Sequence, residues 1–355
     1  MIRSLRVVDF RCFESLALTV PEGGGVFTGN NAQGKTSILE AVCLMVRLHS
    51  PRSHRMSTMA RVAGTGGFGI AGEAWGMERR IRWARRTGMD FAVDGEERSS
   101  HGNYLSDGGL LVWMGNEDLE LVRGSGEVRR RYLDFIGSQF EPGYRRALSR
   151  YRRAVKAKNL LLKDPRNRDA EIASYESVML ESARLLTETR AKLVALLTPA
   201  AAEFQGEIAG KPEQVDLEYR PAGGEDLALA LEQARDRERR QRSCLVGPHR
   251  DELVMKLNGL AADDYASEGQ QRTLALALKL AQGRVLAECR GQQPVWLIDD
   301  IFGELDVARR NAVLRVLPEQ AQKWITTTHL DWLDAAGGLG RMAKFAVSEG
   351  TCREA

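Results

Sequence analysis

The sequence has no C-x-x-C pair. Its five cysteines, Cys12, Cys43, Cys244, Cys289 and Cys352, are scattered and odd in number, which argues against a disulfide framework and against a zinc site. No apolar run approaches the roughly 20 residues needed to cross a bilayer. Met1-Ile2-Arg3-Ser4-Leu5-Arg6 moves straight into alternating apolar residues with no signal-peptide pattern, so the expectation is a cytoplasmic protein with no membrane partner. Aromatic residues are scarce at 6%, and stacking platforms for single-stranded bases are not evidently provided. Charge of one sign is also lacking. The 51 Lys and Arg nearly balance the 48 Asp and Glu, for a net +3, so only the distribution of charge can inform. With 43% hydrophobic and 28% charged residues, the composition is that of a globular protein rather than a disordered one. The 355 residues exceed one ordinary core and suit a domain plus a sizeable insertion.

Periodicity places strands at residues 2–10 and 16–20, then a short buried strand, Val26-Phe27-Thr28, after the break at Gly23-Gly24-Gly25. A helix runs from Lys35 to about His49, with Ile38, Leu39, Val42, Met45 and Val46 on its apolar side. Segments 68–75, 79–86 and 89–94 read as an antiparallel meander bounded by Gly88 and Asp94-Gly95. Helical periods then dominate, at 128–140, 142–163, 171–197 and 225–241, separated by Pro165, Pro199 and the region of Pro212. Strand character returns at 253–257, where Asn258-Gly259 makes a hairpin turn. A helix at 268–289, a strand at 295–298, a helix at 307–316 and a strand at 324–328 follow. The fold class is therefore α/β, with residues 1–126 and 242–355 forming a discontinuous domain and 127–241 a helical insertion.

Three segments carry chemistry. Gly29-Asn30-Asn31-Ala32-Gln33-Gly34-Lys35-Thr36 fits G-x-x-x-x-G-K-[ST] and lies between a strand and a helix. Small residues there let backbone N–H groups curl around phosphate, and the helix N-terminus, Ser37 included, adds its positive dipole end. Lys35 would neutralise the β- and γ-oxygens of ATP and Thr36 would offer a hydroxyl to Mg²⁺. Val295-Trp296-Leu297-Ile298-Asp299-Asp300 is a buried strand ending in two carboxylates. They are either a solvated strand end or, with the phosphate loop, a metal-holding Asp299 beside a water-polarising Asp300. Ser267 and Gln270 make a capping box, which by itself accounts for a well-capped helix. The other reading takes Ser267, the bare backbone of Gly269 and the helix end as a receptor for a γ-phosphate.

Order and spacing carry a resemblance. The phosphate loop, the distant S-x-G-Q helix, the Asp299-Asp300 strand, Glu304-Leu305-Asp306 and finally Thr327-Thr328-His329 resemble the head of ABC, SMC and Rad50-type ATPases. Within that superfamily the chain is similar to the RecF family. "LHSPRSHR" (48–55), "NEDLELVRGSGEVRRRYLD" (116–134), "LVGPHRDEL" (245–253), "YASEGQQRTLALALKLAQ" (265–282) and "LIDDIFGELD" (297–306) match that family along the chain. The resemblance implies an ABC-type head, a mixed core sheet with a small antiparallel subdomain. It also implies that Ser267, Gly269 and Gln270 reach the γ-phosphate held by a second copy, with Asp306 at the dimer seam and His329 touching the γ-phosphate. Asp300 stands where ABC transporters carry Glu, a methylene longer, so slow ATP turnover is expected. No glutamine stands at an evident Q-loop position. The implied partners are double-stranded DNA and single/double-strand junctions, with RecO, RecR and RecA.

Arg129, Arg130, Arg131, Arg145, Arg146, Arg150, Arg152, Arg153, Lys156 and Lys158 crowd one stretch, against only Asp134 and Glu141. On a helix over 142–163 several share a side. Such a stripe is either a solvated face paired with acids elsewhere or a surface for duplex phosphates; the resemblance favours the second. A transporter ATPase subunit would share the head motifs but not a long basic insertion. An SMC or Rad50-type tether needs far more heptads than about 115 residues hold. An OLD-type nuclease needs an acidic module after His329, where only a short tail remains.

Overall fold

The structure, a computed structural model, describes residues 1–355 apart from 54, 107, 165, 167 and 331–341. Pro165, expected between two helices, lies outside the described residues. The chain forms two compact units, one of Met1–Glu117 with Gly291–Ala355 and one of Asp118–Arg290.

The first unit begins with β1 (Ser4–Phe10), β2 (Phe13–Thr19), β3 (Gly24–Thr28), α1 (Lys35–Arg47), β4 (Gly67–Ala74), β5 (Met77–Ala84), β6 (Gly88–Val93), β7 (Glu96–Glu97), α2 (His101–Leu105) and β8 (Leu111–Gly115). The second contains α3 (Glu120–Arg123), α4 (Gly126–Phe140), α5 (Tyr144–Leu161), α6 (Asp169–Ala209), β9 (Val215–Arg220), α7 (Leu227–Gln241), β10 (Glu252–Leu257), β11 (Leu260–Ala261), α8 (Ala262–Tyr265) and α9 (Glu268–Arg290). The chain returns to the first with β12 (Val295–Asp299), α10 (Val307–Val316), β13 (Lys323–Thr327), β14 (Ala343–Ser348) and β15 (Thr351–Glu354).

Two six-stranded sheets build the first unit. One is antiparallel, in the order β2-β1-β4-β5-β6-β7; the other, β15-β14-β3-β13-β12-β8, is parallel except for β15. Helix α1 packs against strands of both sheets, so nearly all its residues are buried and not only the apolar side expected of an amphipathic helix. Glu40 is carried inside with them at 0% exposure. Its cost is offset by a two-pronged pair with Arg11, at 2.8 and 2.6 Å, and a 2.6 Å hydrogen bond from Ser50. Asp94-Gly95 and Asn258-Gly259 turn their hairpins with φ of 51°, 79°, 52° and 80°, the left-handed pair that a two-residue hairpin requires.

The parallel sheet holds three strands that periodicity did not reveal. β8 reads only as a continuous apolar run, Leu110 to Met114, and such runs do not declare a period. β14 and β15 lie in what was expected to be a short tail. β14 is placed by pairing with β3 across more than 300 residues, and β15 pairs in turn with β14.

In the second unit, Pro199 was expected to separate helices, yet α6 runs through it for 41 residues. Proline removes one N–H and crowds the carbonyl four residues back. Here Thr198 Oγ1 donates to Val194 O at 2.7 Å, and the buried row Leu193, Leu197, Ala201 and Phe204 keeps the helix in place through packing. β9 interrupts the helical insertion and pairs with β10 in a three-stranded sheet. The second compact unit spans Asp118–Arg290, where β10 is held by β9 and α9 packs on α6.

Two buried polar knots hold this unit. Arg190, 2% exposed, pairs with Asp134 and Asp251 at 2.7 and 2.8 Å and donates to Pro248 O and Tyr144 Oη. Lys158, fully buried, pairs with Glu176 at 2.8 Å and Glu238 at 2.6 Å. Lys158→Met takes the buried cation from Glu238 and leaves Glu176 with Arg235, 3.5 Å away. The expected loss is about 3–5 kcal/mol of unfolding free energy, read by urea denaturation. A loss under about 1 kcal/mol would show that the pairing does not hold the unit.

Candidate nucleotide site and basic helix face

The phosphate loop hangs between β3 and α1, and its glycines are there for space. Gly29, φ 151°, would place a Cβ 2.2 Å from Val347 O; Gly34, φ 107°, would place one 2.6 Å from Cys12 Sγ and 2.8 Å from Phe13. Ala32 joins them in the left-handed region at φ 65°, while Asn30 and Asn31 are exposed at the tip and Ser37 is buried. Gln33 turns to the β14–β15 turn, where its Oε1 accepts from Glu349 N at 2.6 Å. Lys35 Nζ lies back along the loop, donating to Gly29 O at 2.7 Å and Asn30 O at 2.9 Å. Burial lowers its pKa, against the pull of Asp300 and Asp299.

Asp299 ends β12 facing α1. Its Oδ1 accepts from Thr36 Oγ1 at 2.8 Å and from Thr326 Oγ1 at 2.7 Å. Burial pushes its pKa up, and the two hydroxyls pull it down. Asp300 adopts φ 51°, with its N–H donating to Thr326 Oγ1 at 3.0 Å. Burial also raises its pKa against Lys35, and its Oδ1 is buried with no hydrogen-bond partner among the described residues. The donor set is all oxygen, and one carboxylate oxygen is orphaned. That fits a hard cation such as Mg²⁺, held by Thr36 and Asp299.

Three neighbours escaped sequence reasoning. Thr326 has just been described. Asn116, exposed beyond the end of β8, has its side-chain amide 3.4 Å from Asp300 O and 3.3 Å from Glu304 Oε1. The charge of Arg52, which also pairs with Glu40 at 3.8 Å, lowers Asp299. The position of "LHSPRSHR" after α1 was the available signal for Arg52. His329 is exposed, and its charge lowers Asp300; its backbone is tied to Thr327 Oγ1. Asp306 caps α10, accepting from Arg309 N at 2.9 Å.

The signature residues form their own group in the second unit. Ser267 N donates to Gln270 Oε1 at 3.0 Å and Gln270 N to Ser267 Oγ at 3.4 Å, the reciprocal capping box. Gln270 Nε2 is also bonded to Glu213, and Gly269 O accepts from Thr273. Ser267 is exposed and keeps its hydroxyl hydrogen for an acceptor.

The basic residues divide. Arg129 pairs with Glu252 at 2.7 Å, and Arg130 donates to Asp251 O at 2.8 Å. Arg131 pairs with Glu127, Arg150 with Glu181, and Arg152 with Asp134. Burial, and then Arg152, pushes Arg145 down to about 10. Lys158 belongs to the core knot. Arg146, Arg153 and Lys156 are exposed on α5 without an acidic partner among the described residues. Their spacing, seven and then three residues, sets them on one side opposite the buried Tyr144, Tyr151 and Ala154. Arg237, Arg240 and Arg242, at the end of α7, are likewise exposed and unpaired among the described residues.

No protein-family model matches the chain. It is 35% identical over 359 residues to the DNA replication and repair protein RecF of Synechococcus sp. (strain JA-3-3Ab), covering 94% of this chain and 93% of that one. It is 33% identical over 357 residues to RecF of Gloeobacter violaceus, at the same coverage. The solved recombination mediator protein RecF-ATPrS of the RecFOR pathway superposes with a TM-score of 0.87 at 25% identity, covering 100% of this chain and 98% of that one. The Smc head domain of Pyrococcus furiosus shares the fold at a TM-score of 0.58 and 15% identity, covering 100% and 95%.

Gly34→Ala is expected to weaken ATP binding at least ten-fold, about 1.4 kcal/mol, because the left-handed backbone and the wall of Cys12 and Phe13 leave no room for a methyl. Gly69→Ala, where a Cβ meets open space, is the control. Titration with a fluorescent ATP analogue decides, and equal affinities would remove the steric argument.

Proposed function

The chain belongs to the RecF family of DNA replication and repair proteins, and on that premise we propose that it is an ATP-switched clamp for duplex DNA in recombinational repair. The observation that carries the reading is the assembled phosphate site: the loop, Lys35 folded along it, and Thr36 and Thr326 converging on Asp299.

ATP phosphates enter against the loop N–H groups and the N-terminus of α1. Lys35 exchanges its two carbonyl partners for phosphate oxygens, which restores the charge partner that burial denies it. Thr36 and Asp299 would hold Mg²⁺, which when bound would neutralise charge on the phosphates. Asp300 orients the attacking water, and its backbone tie to Thr326 fixes where its carboxylate points. It is one methylene shorter than the Glu of transporters, and turnover is slow. Ser267, Gly269 and Gln270 of a second copy, with Asp306 at the seam, recognise the γ-phosphate and leave with it, so ATP favours the closed dimer. His329 contacts the same phosphate.

Duplex DNA lies along Arg146, Arg153 and Lys156 of α5 and is held through its backbone without sequence preference. The paired Arg150 and Arg152 contribute secondarily, and Arg129 and Arg130 serve the fold. Gaps and single/double-strand junctions, RecO and RecR are the expected partners in RecA loading.

ATP hydrolysis measured against protein concentration, with and without duplex DNA, tests the clamp. A rate per subunit that rises with both supports it. A flat rate indifferent to DNA would return the chain to a protein-partner role. Reversing Arg146, Arg153 and Lys156 to Glu should weaken duplex binding and lower the salt slope by about 3; unchanged affinity and slope would clear α5 of the role.

A further inference from the structure

We propose that Glu213 is a positioning residue of the γ-phosphate receptor, fixing which way round the Gln270 amide stands and so where the Ser267 hydroxyl is presented. The inference rests on the reading of Ser267, Gly269 and Gln270 as the surface offered to ATP on a second copy. Glu213 lies between the end of α6 and β9 and is 7% exposed. Its two oxygens take different partners. Oε1 accepts from Gln270 Nε2 at 2.9 Å, and Oε2 accepts from Gln205 Nε2 of α6 at 2.6 Å. Lys211 Nζ lies 3.1 Å from Oε1, but its side chain is 65% exposed and water shares it. Burial pushes the Glu213 carboxyl up, and the Gln270 and Gln205 amides and then Lys211 bring it below its ordinary value. The group is therefore an anion that only accepts.

A side-chain amide has one end that donates and one that accepts, and the two are nearly alike in shape. The carboxylate tells them apart. It requires Nε2 of Gln270, which turns Oε1 to the other side, where it accepts from Ser267 N at 3.0 Å. Turned over, the amide would set its oxygen against the carboxylate and its own N–H against that of Ser267. A capping box closes with its glutamine otherwise in water, so the helix cap has no need of a buried acid. Gln205 shows how strongly this acid orders its surroundings. Its Nε2 faces Glu213 although its Oε1 is then buried with no hydrogen-bond partner among the described residues. Gln270 N in turn lies 3.4 Å from Ser267 Oγ, which accepts there and leaves the hydroxyl hydrogen for phosphate. If Glu213 merely tied α6 to α9, its loss would lower stability and leave γ-phosphate recognition alone.

The probe is the non-hydrolysable ATP analogue AMP-PNP with Mg²⁺. Sedimentation velocity on the full chain reads the protein concentration at which half of it is dimeric. Glu213→Gln leaves one oxygen for two amide donors; Glu213→Asp keeps the charge and withdraws it by a methylene. Both should raise the midpoint about five-fold, the net effect of losing one hydrogen bond, and Ser267→Ala should raise it too. The monomer's own affinity for AMP-PNP, set by its phosphate loop, should stay unchanged. In a Gln270→Ala background Glu213→Gln should add nothing to the midpoint, whatever it does to the melting temperature, because the amide it acts through is gone. Midpoints equal to wild type in both Glu213 variants, with Ser267→Ala shifted, would overturn the proposal alone, as would a Glu213→Gln shift that persists without Gln270. A wild type that stays monomeric with AMP-PNP, or a Ser267→Ala variant that dimerises as wild type does, would overturn it together with the γ-phosphate reading.

Discussion

One carboxylate oxygen joins three distant parts of the chain. Asp299 Oδ1 accepts from Thr36, 263 residues earlier, and from Thr326, 27 residues later. The first bond fixes the N-terminal turn of α1 to the end of β12, and the second fixes β12 to β13. Remove that oxygen and the N-terminal turn of α1 loses its tie to the end of β12, while Lys35 grips the loop itself and Gln33 holds the loop to the β14–β15 turn. A buried carboxylate is costly unless its charge is used. Here burial raises Asp299, while the hydroxyls of Thr326 and Thr36 and then the charge of Arg52 pull it down.

The second unit settles its buried charges the opposite way. Lys158 meets two glutamates, and Arg190 meets two aspartates. The G-P-H-R-D segment is what ties the Arg190 knot. Pro248 O and Asp251 accept from Arg190, and His249 Nδ1 lies 2.7 Å from Tyr151 Oη. A motif that stands out in a sequence can thus mark a structural closure as well as a place where chemistry happens. The same networks draw off basic residues. Of the crowd between 129 and 158, the pairs with Glu252, Glu181, Asp134, Glu176 and Glu238 draw off several, while Arg146, Arg153 and Lys156 of α5 stay exposed without an acidic partner among the described residues.

The antiparallel meander, α1, the phosphate loop and β12 were legible because each is a local pattern: alternation, a glycine-spaced loop, an apolar run closed by two acids. Hairpin turns at Asp94 and Asn258 were legible for the same reason. The edge strands of the parallel sheet were not. β14 is defined by its pairing with β3, whose residues lie over 300 positions away, and a continuous run such as β8 is silent about whether it is helix or strand. Pro199 misled because a rule about one residue yields to packing over 41. Charge was the least legible property, since a row of arginines looks the same in sequence whether its acids are near or absent.

That illegibility follows from how partners are chosen. Asn116 and Glu117 sit side by side in sequence, and both end beside the same pair of aspartates. They do so because β8 is parallel to β12 in a register that aligns Gly115 with Asp299. Shift that register by one residue and Asp299 would face Asn116, with the side chains of β8 turned to the opposite face. The residues after β8 therefore acquire their place from a strand pairing made almost 200 residues away. A conventional motif is required where the backbone itself touches the ligand, as at Gly29 and Gly34. Where a side chain reaches in from the next strand, register places it.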